Sequence, residues 1–292
     1  MNQPTVSIFC DRRCRLGEGP SWDPVSGNVF WFDILGRQML ERSPGGGPTT
    51  VHDLPLMASA IASIDAGRQL LVAEDGVYVR DRASGRLTLH TRIEAGIAQN
   101  RSNDARVHPS GSMWIGTMPK DEGGPTGAIY WFREGELRCL YTRIAISNSI
   151  CFSPDGSIAY FTDTVTGLLQ RVACNPANGL PIGQPTVFVD WRGRDGWLDG
   201  SVCDGDGVVW NARWGAGAVD AWAPDGRHLR TVELPARQTS CPAFIGPRAD
   251  RLVVTSASKG LSEAQLAADP QAGMTFLVDL PVRGRVEPAV LV

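Results

Sequence analysis

The sequence predicts an all-β fold, a six-bladed β-propeller, and three observations carry that prediction. The first is a recurring phrase: an apolar strand, a tight turn, then a second strand rich in aromatic and β-branched residues. The turns are Asp23-Pro24-Val25-Ser26-Gly27, Asp65-Ala66-Gly67, His108-Pro109-Ser110-Gly111, Ser153-Pro154-Asp155-Gly156, Asp204-Gly205-Asp206-Gly207 and Gly246-Pro247-Arg248-Ala249-Asp250. The second is their spacing, since their first residues lie 42, 43, 45, 51 and 42 positions apart. Units of about 40–50 residues with about four strands match a propeller blade. The third is turn chemistry: Pro presets φ, Gly accepts positive φ, and Asp or Ser bonds the local backbone.

The segments that follow the turns read as strands in chain order: Val29-Phe30-Trp31-Phe32, Gln69-Leu70-Leu71-Val72, Met113-Trp114-Ile115-Gly116, Ile158-Ala159-Tyr160-Phe161, Val208-Val209-Trp210-Asn211 and Leu252-Val253-Val254-Thr255. Further strands follow within the units, such as Gly76-Val77-Tyr78-Val79 and Ala128-Ile129-Tyr130-Trp131-Phe132. One helix is expected, from Leu261 to Ala268, opened by Ser262-x-x-Gln265 in capping-box spacing. A β-helix would need shorter repeats. The regular turn spacing assigns residues 1–292 to one propeller domain.

Composition narrows the function classes. The chain has 292 residues, 42% hydrophobic and 20% charged, enough for a full core and against disorder. Against 28 Lys and Arg stand 31 Asp and Glu, a formal charge of −3 without a basic stripe, so nucleic acid is not an expected partner. No run reaches the length of a membrane-spanning helix, so no membrane partner is expected. Met1-Asn2-Gln3-Pro4 lacks the basic and apolar segments of a secretory leader. Seven cysteines are an odd number in a chain too large to need staples, and Cys10-x3-Cys14 has no second pair to complete a zinc site. The thiols are therefore expected to be reduced and structural, placing the protein in the cytoplasm, as a monomer or weak homo-oligomer.

The repeat also serves as a ruler. In a propeller the innermost strand of each blade runs along the central channel, so equivalent positions form a ring. Five residues before each turn stand Glu18, Ala60, Asn103, Asn148, Asp199 and Cys241. Any one of the polar residues could simply solvate a wet channel. Together they are harder to explain that way, because carboxylates at one height repel and raise each other's pKa unless a cation joins them. Carboxylate and amide oxygens suit Ca2+, Mg2+ or Mn2+, while Zn2+ and Fe2+ also accept carboxylates, so one divalent cation of open identity is expected on the axis. Cys241 reads as a small apolar filler.

Around the ring, Asn100-Arg101-Ser102-Asn103-Asp104 brings polar groups into the third blade, where Arg101 can fork onto a hydroxylated or carboxylated ligand. Asp104 follows a ring residue and by strand alternation should face away, as a structural hydrogen-bond acceptor. The loop Pro119-Lys120-Asp121-Glu122-Gly123-Gly124 is polar enough to cover a site. The nine Trp and nine Phe are assigned mostly to packing between blades, and all four His to the surface. No Gly-x-Ser-x-Gly elbow, Walker loop or dinucleotide fingerprint is present.

Leu16-Gly17-Glu18-Gly19-Pro20, Trp31-Phe32-Asp33-Ile34, Asn100-Arg101-Ser102-Asn103-Asp104, Gly116-Thr117-Met118, Ser153-Pro154-Asp155-Gly156, Asp199-Gly200-Ser201 and Lys259-Gly260-Leu261-Ser262 resemble, in order and spacing, the gluconolactonase, regucalcin and senescence-marker family over nearly the whole chain. The resemblance implies a six-bladed propeller that hydrolyses sugar lactones with one axial divalent cation. It implies Glu18, Asn148 and Asp199 as metal ligands. It also implies Arg101 and Asn103 as sugar contacts, with Asp121 in place of the Glu usual in the following loop. Where relatives often show Thr-Asn-Gly, this chain has Ser147-Asn148-Ser149.

A small sugar lactone is the expected partner, glucono-, xylono-, arabinono- or galactonolactone among them, with Asp199 as general base. The alternatives are a calcium-binding regulatory propeller without significant catalysis, a protein-interaction platform, and a hydrolase of organophosphates or aromatic esters. The ring of carboxylates and amides argues against the second, and its polar surroundings against the third.

Overall fold

The computed structural model describes residues 4–292, so the leading Met1-Asn2-Gln3 of the leader reading lies outside it. Its strands form six four-stranded antiparallel sheets, and their inner strands line one axis: Gly17–Asp23, Ala58–Ser63, Asn100–Val107, Ser147–Phe152, Trp197–Cys203 and Thr239–Ile245. Each expected turn links an inner strand to the next strand out, and every expected strand segment falls on a strand, with Val208 just before its own. The sixth sheet takes its outermost strand, Thr5–Cys10, from the other end of the chain, paired antiparallel with Thr275–Asp279. This closure ties the two ends into one blade.

Six apolar clusters fill the gaps between neighbouring sheets, which is why the outward strands alternate so little between apolar and polar. Trp114, Ile129 and Trp131 of the third blade, for example, meet Phe152 and Phe161 of the fourth. The Trp114 and Trp131 indole N–H groups donate to Gly179 and Asn178 carbonyls at 2.9 and 2.7 Å, so these large side chains are buried without stranding a donor. Burying side chains of this size contributes about 1.5–3 kcal/mol each before entropy is counted.

The helix spans Glu263–Ala268, two residues shorter than expected at its start, because Ser262 is its extended N-cap in a reciprocal capping box with Gln265. His108 departs from the surface assignment. It is fully buried between the turns of the third and fourth blades, with its ring nitrogens 2.8 Å from Ser110 Oγ and 2.9 Å from the Gly156 carbonyl. All seven cysteines are free and six are buried; Cys139 is exposed. No helix among the described residues is long and apolar enough to cross a membrane.

On the turn face, the first and second blades are latched by Arg82, which forks onto Asp23 at 2.6 and 2.9 Å and also donates to Ser63 Oγ at 2.8 Å. Burial pushes the Asp23 carboxyl up, but the Arg82 fork and the Ser26 hydrogen bonds outweigh it and hold the group below the usual carboxylate range. Removing one partner of so buried a pair leaves the other charge uncompensated. Asp23→Ala should therefore lose about 3 kcal/mol of stability at pH 7 in denaturant titrations. Because the folded-state pKa is depressed, that contribution is complete above the unfolded pKa near ~4. It is lost as pH falls through the folded value, so the gap between wild type and variant should close on acidification.

Candidate active site

The inner strands are not regular where they pass the ring. All six carry a β-bulge at this level, between Glu18 and Ser21, Ala58 and Ala60, Ser102 and Ala105, Asn148 and Cys151, Leu198 and Ser201, and Thr239 and Pro242. A bulge breaks strict alternation and re-aims side chains. Its effect is clearest at Asp104, which alternation alone would turn away from the axis. Asp104 does accept a structural hydrogen bond, from Ile150 N at 2.7 Å, yet its carboxylate also stands close enough to raise the pKa of both Glu18 and Asp199.

Glu18, Asn103, Asn148 and Asp199 are brought together on the floor of a cavity of about 380 Å3 on the loop face. Every blade but the second contributes to its lining, and the second presents Ala60 at the ring position. Cys241 is fully buried beside Gly200, outside the lining. Met118 and Glu122 come from the third blade, Thr164 and Val165 from the fourth, and Lys259 with Gly260 from the sixth. Trp197 and Trp214 stand in the wall; Trp197 is 54% exposed and is not packing between blades, whereas Trp214 also packs against the apolar cluster around Leu16 and Ala257. Strand pattern gave no signal for them; their position near the ends of strands at the loop face did.

The electrostatics of the floor are dominated by buried negative charge. Burial raises the Glu18 carboxyl well above the carboxylate range and Asp104 adds to the rise, with the Gly19 N–H, 3.0 Å away, easing it only in part. Burial also raises Asp199 strongly, with Glu18 and Asp104 next in effect. Asp104 itself is pushed up to about 6, chiefly by burial. Arg101 faces this cluster, its own pKa drawn down to about 10 by burial while Glu18, Glu122 and Asp199 hold it up. Its Nη1 donates to Asn103 Oδ1 at 2.7 Å, and Asn103 Nδ2 donates to Asn148 Oδ1 at 3.0 Å. Arg101, Asn103 and Asn148, two expected sugar contacts and one expected ligand, thus form a continuous hydrogen-bonded chain.

The residues fit a divalent cation. Two buried carboxylates with little local compensation converge beside an amide oxygen whose own nitrogen is held by Thr164 Oγ1 at 2.9 Å. This is a hard oxygen donor set of the kind such ions take. The backbone after two of these residues is left-handed, at Gly19 (φ 55°) and Ser149 (φ 61°). Gly19 needs to be glycine, because a Cβ there would run into the Ser59 carbonyl. Ser149 adopts the same conformation with a side chain. Its hydroxyl compensates by donating to the Asp199 carbonyl at 2.5 Å and accepting from Asn211 Nδ2 at 3.0 Å. Ser149 therefore ties the Asn148 segment to the Asp199 segment.

Asp121 is not part of this assembly. Its carboxylate accepts from Gly123 N at 2.9 Å within its own exposed turn, and Glu122 is the acid of that loop that lines the cavity. Glu122 reaches inward on a left-handed backbone, φ 59°, and pairs with Lys259 across the mouth. The expectation placed Asp121 at the cavity; the side chain that lines it is that of Glu122, because positive φ at a glutamate leaves no local signature in sequence.

Comparison with known proteins agrees with this architecture. The model of the SMP-30/Gluconolactonase/LRE-like region matches residues 16–258. The chain belongs to this family. Among relatives of the SMP-30/gluconolactonase family, it is 47% identical over 274 residues to a protein named putative sugar lactone lactonase of Rhizobium meliloti (strain 1021), covering 94% of this chain and 93% of that one. It is 35% identical over 279 residues to the L-arabinolactonase of Azospirillum brasilense, covering 93% and 91%. The crystal structure of a calcium-binding protein, regucalcin, from Agrobacterium tumefaciens superposes with a TM-score of 0.97 at 46% identity over the full length of both chains.

Ser149 offers a direct test of how the ring is held. Ser149→Ala keeps the left-handed strain and loses both hydrogen bonds, whereas Ser149→Gly loses the bonds but relieves the strain. Stability in denaturant titrations should fall in the order Ser, Gly, Ala, with Ser149→Ala down by about 2 kcal/mol. If Gly were less stable than Ala, strain at this position would not be the governing factor.

Proposed function

We propose that this chain is a lactonase that opens a sugar (aldono-) lactone to the free aldonic acid, as one propeller domain with a divalent cation held by Glu18, Asn148 and Asp199. The observation that carries the reading is the pair of buried carboxylates at the floor of the cup, Glu18 and Asp199, beside the hydrogen-bonded chain from Arg101 through Asn103 to Asn148. The names of the relatives, sugar lactone lactonase and L-arabinolactonase, support it. Bound there, the cation supplies Lewis-acid polarisation of the lactone carbonyl.

The protein's own groups account for the rest. Asp199 takes the proton of the attacking water as the water oxygen bonds to the carbonyl carbon, and returns it to the ring oxygen as the C–O bond breaks. Arg101 and Asn103 hold the ring hydroxyls, supplying orientation more than chemistry. Glu122 is the acid of the covering loop that accepts from a further hydroxyl, released from Lys259 when substrate enters. Trp197 and Trp214 give the cup an apolar wall for the C–H face of a sugar ring. Glucono-, xylono-, arabinono- and galactonolactone are the substrates to compare.

A second reading is a calcium-binding regulatory role, favoured by the description of the Agrobacterium neighbour as a calcium-binding protein. Acid release from the four lactones by chelator-stripped protein, corrected for spontaneous hydrolysis and repeated with each divalent cation, separates the two. Cation-dependent acceleration is expected. Cation binding without acceleration in folded protein would leave the regulatory role. Asp199→Asn should reduce turnover to the uncatalysed background. Arg101→Ala should raise KM about tenfold, a loss of ground-state binding. Glu122→Gln should raise KM more than Asp121→Asn does, and the opposite order would return that contact to Asp121.

A further inference from the structure

The C-terminal segment 281–292 has no regular secondary structure, yet it is fastened across the turn face, opposite the cavity. Gly284 N donates to the Ala249 carbonyl at 3.0 Å, Arg285 Nη2 to the Phe152 carbonyl at 2.9 Å, and Val290 N to the Ser63 carbonyl at 2.8 Å. These anchors sit on the sixth, fourth and second blades, so the segment spans the mouth of the shaft. At its middle one side chain turns inward. The Glu287 carboxylate pairs at 2.8 Å with Arg106, whose side chain is only 5% exposed on the inner strand of the third blade.

Arg106 crosses the shaft. Its Nη2 donates to the Ser201 carbonyl of the fifth blade at 3.1 Å and lies 3.6 Å from Cys241 Sγ of the sixth. On its own strand, Asp104, Asn103 and Arg101 lead from it toward the cavity floor. With all four carboxyls ionised, Glu18, Asp104, Asp199 and Glu287 against Arg101 and Arg106 would leave two negative charges uncompensated along the shaft. That is the complement of a divalent cation. Without Glu287 only one would remain, and the Arg106 charge would act undiminished on Asp104 and Glu18, both of which it reaches.

We infer that Glu287 is a positioning residue for the axial cation site: it neutralises Arg106 from the far end of the shaft and so keeps the Glu18, Asp104 and Asp199 cluster free to hold a divalent ion. The inference rests on the cation reading proposed above. It gives the tail a task in function that its backbone bonds alone do not require.

The test is calorimetric titration of chelator-stripped protein with Ca2+ and Mn2+, beside the melting temperature of the cation-free form. Glu287→Gln should weaken cation binding about tenfold. Glu287→Asp, which keeps the charge, should lie between it and wild type and guards against a variant that fails to fold. Arg285→Ala removes a tail anchor without touching Arg106, and should lower the melting temperature while leaving the dissociation constant unchanged. Wild-type affinity in folded Glu287→Gln, or equal weakening in Arg285→Ala, would overturn the inference alone. Failure of the wild type to bind either ion would overturn the cation reading, and this inference with it.

Discussion

Like charge gathered in a buried shaft is the constraint around which this protein is arranged. Glu18, Asp104 and Asp199 come from three different blades and are buried; Asp104 pushes both Glu18 and Asp199 toward the protonated form, and Glu18 does the same to Asp199. Carboxylates in such surroundings persist when something positive is part of the design. Arg101 stands on the cavity side and Arg106 on the turn side, and Glu287 in turn tempers Arg106. The floor of the cup thus gathers more acidic than basic groups, the charge pattern on which the proposed cation site rests.

The backbone that carries this charge departs from ideal strand geometry at every blade. Six bulges at one level turn the inner strands so that consecutive residues, such as Asn103 and Asp104, both serve the shaft. Their irregularity is contained by side-chain bonds that tie neighbouring blades, with Ser149 joined to the Asp199 carbonyl and Ser59 Oγ to Ser102 Oγ at 2.8 Å. Further out, the six inter-blade clusters and the indole bonds hold the walls. Precision at the axis thus depends on packing several strands away.

The two faces divide the work. Short turns close one face, where the Asp23–Arg82 latch, the buried His108 and the C-terminal segment concentrate fixed contacts. The other face keeps the longer loops, and there the Glu122–Lys259 pair and the two indoles surround an open cup. Fixed contacts and the open cavity are placed at opposite ends of the same strands, with Arg106 buried between them.

Much of this was written in the order of residues. Tight turns about one blade apart fix the propeller, because each unit can bury its two faces only against copies of itself. Counting back from those turns selects Glu18, Asn103, Asn148 and Asp199, since equivalent positions in a closed ring share a height. The capping box at Ser262 marks the helix within two residues. What local pattern does not encode is how bulges and loops aim side chains. Alternation misplaced Asp104 because a bulge resets it, and the covering loop presented Glu122 instead of Asp121 because positive φ turned one side chain in and left the other in its own turn. His108 was buried by a neighbouring turn, the wall indoles were set at the cup by strand ends, and Glu287 met Arg106 across 181 residues of chain. The sequence by itself determined the repeat and the ring, which depend on periodic local chemistry. Tertiary structure alone decided which charges face one another, because that depends on distances between segments that no local pattern records.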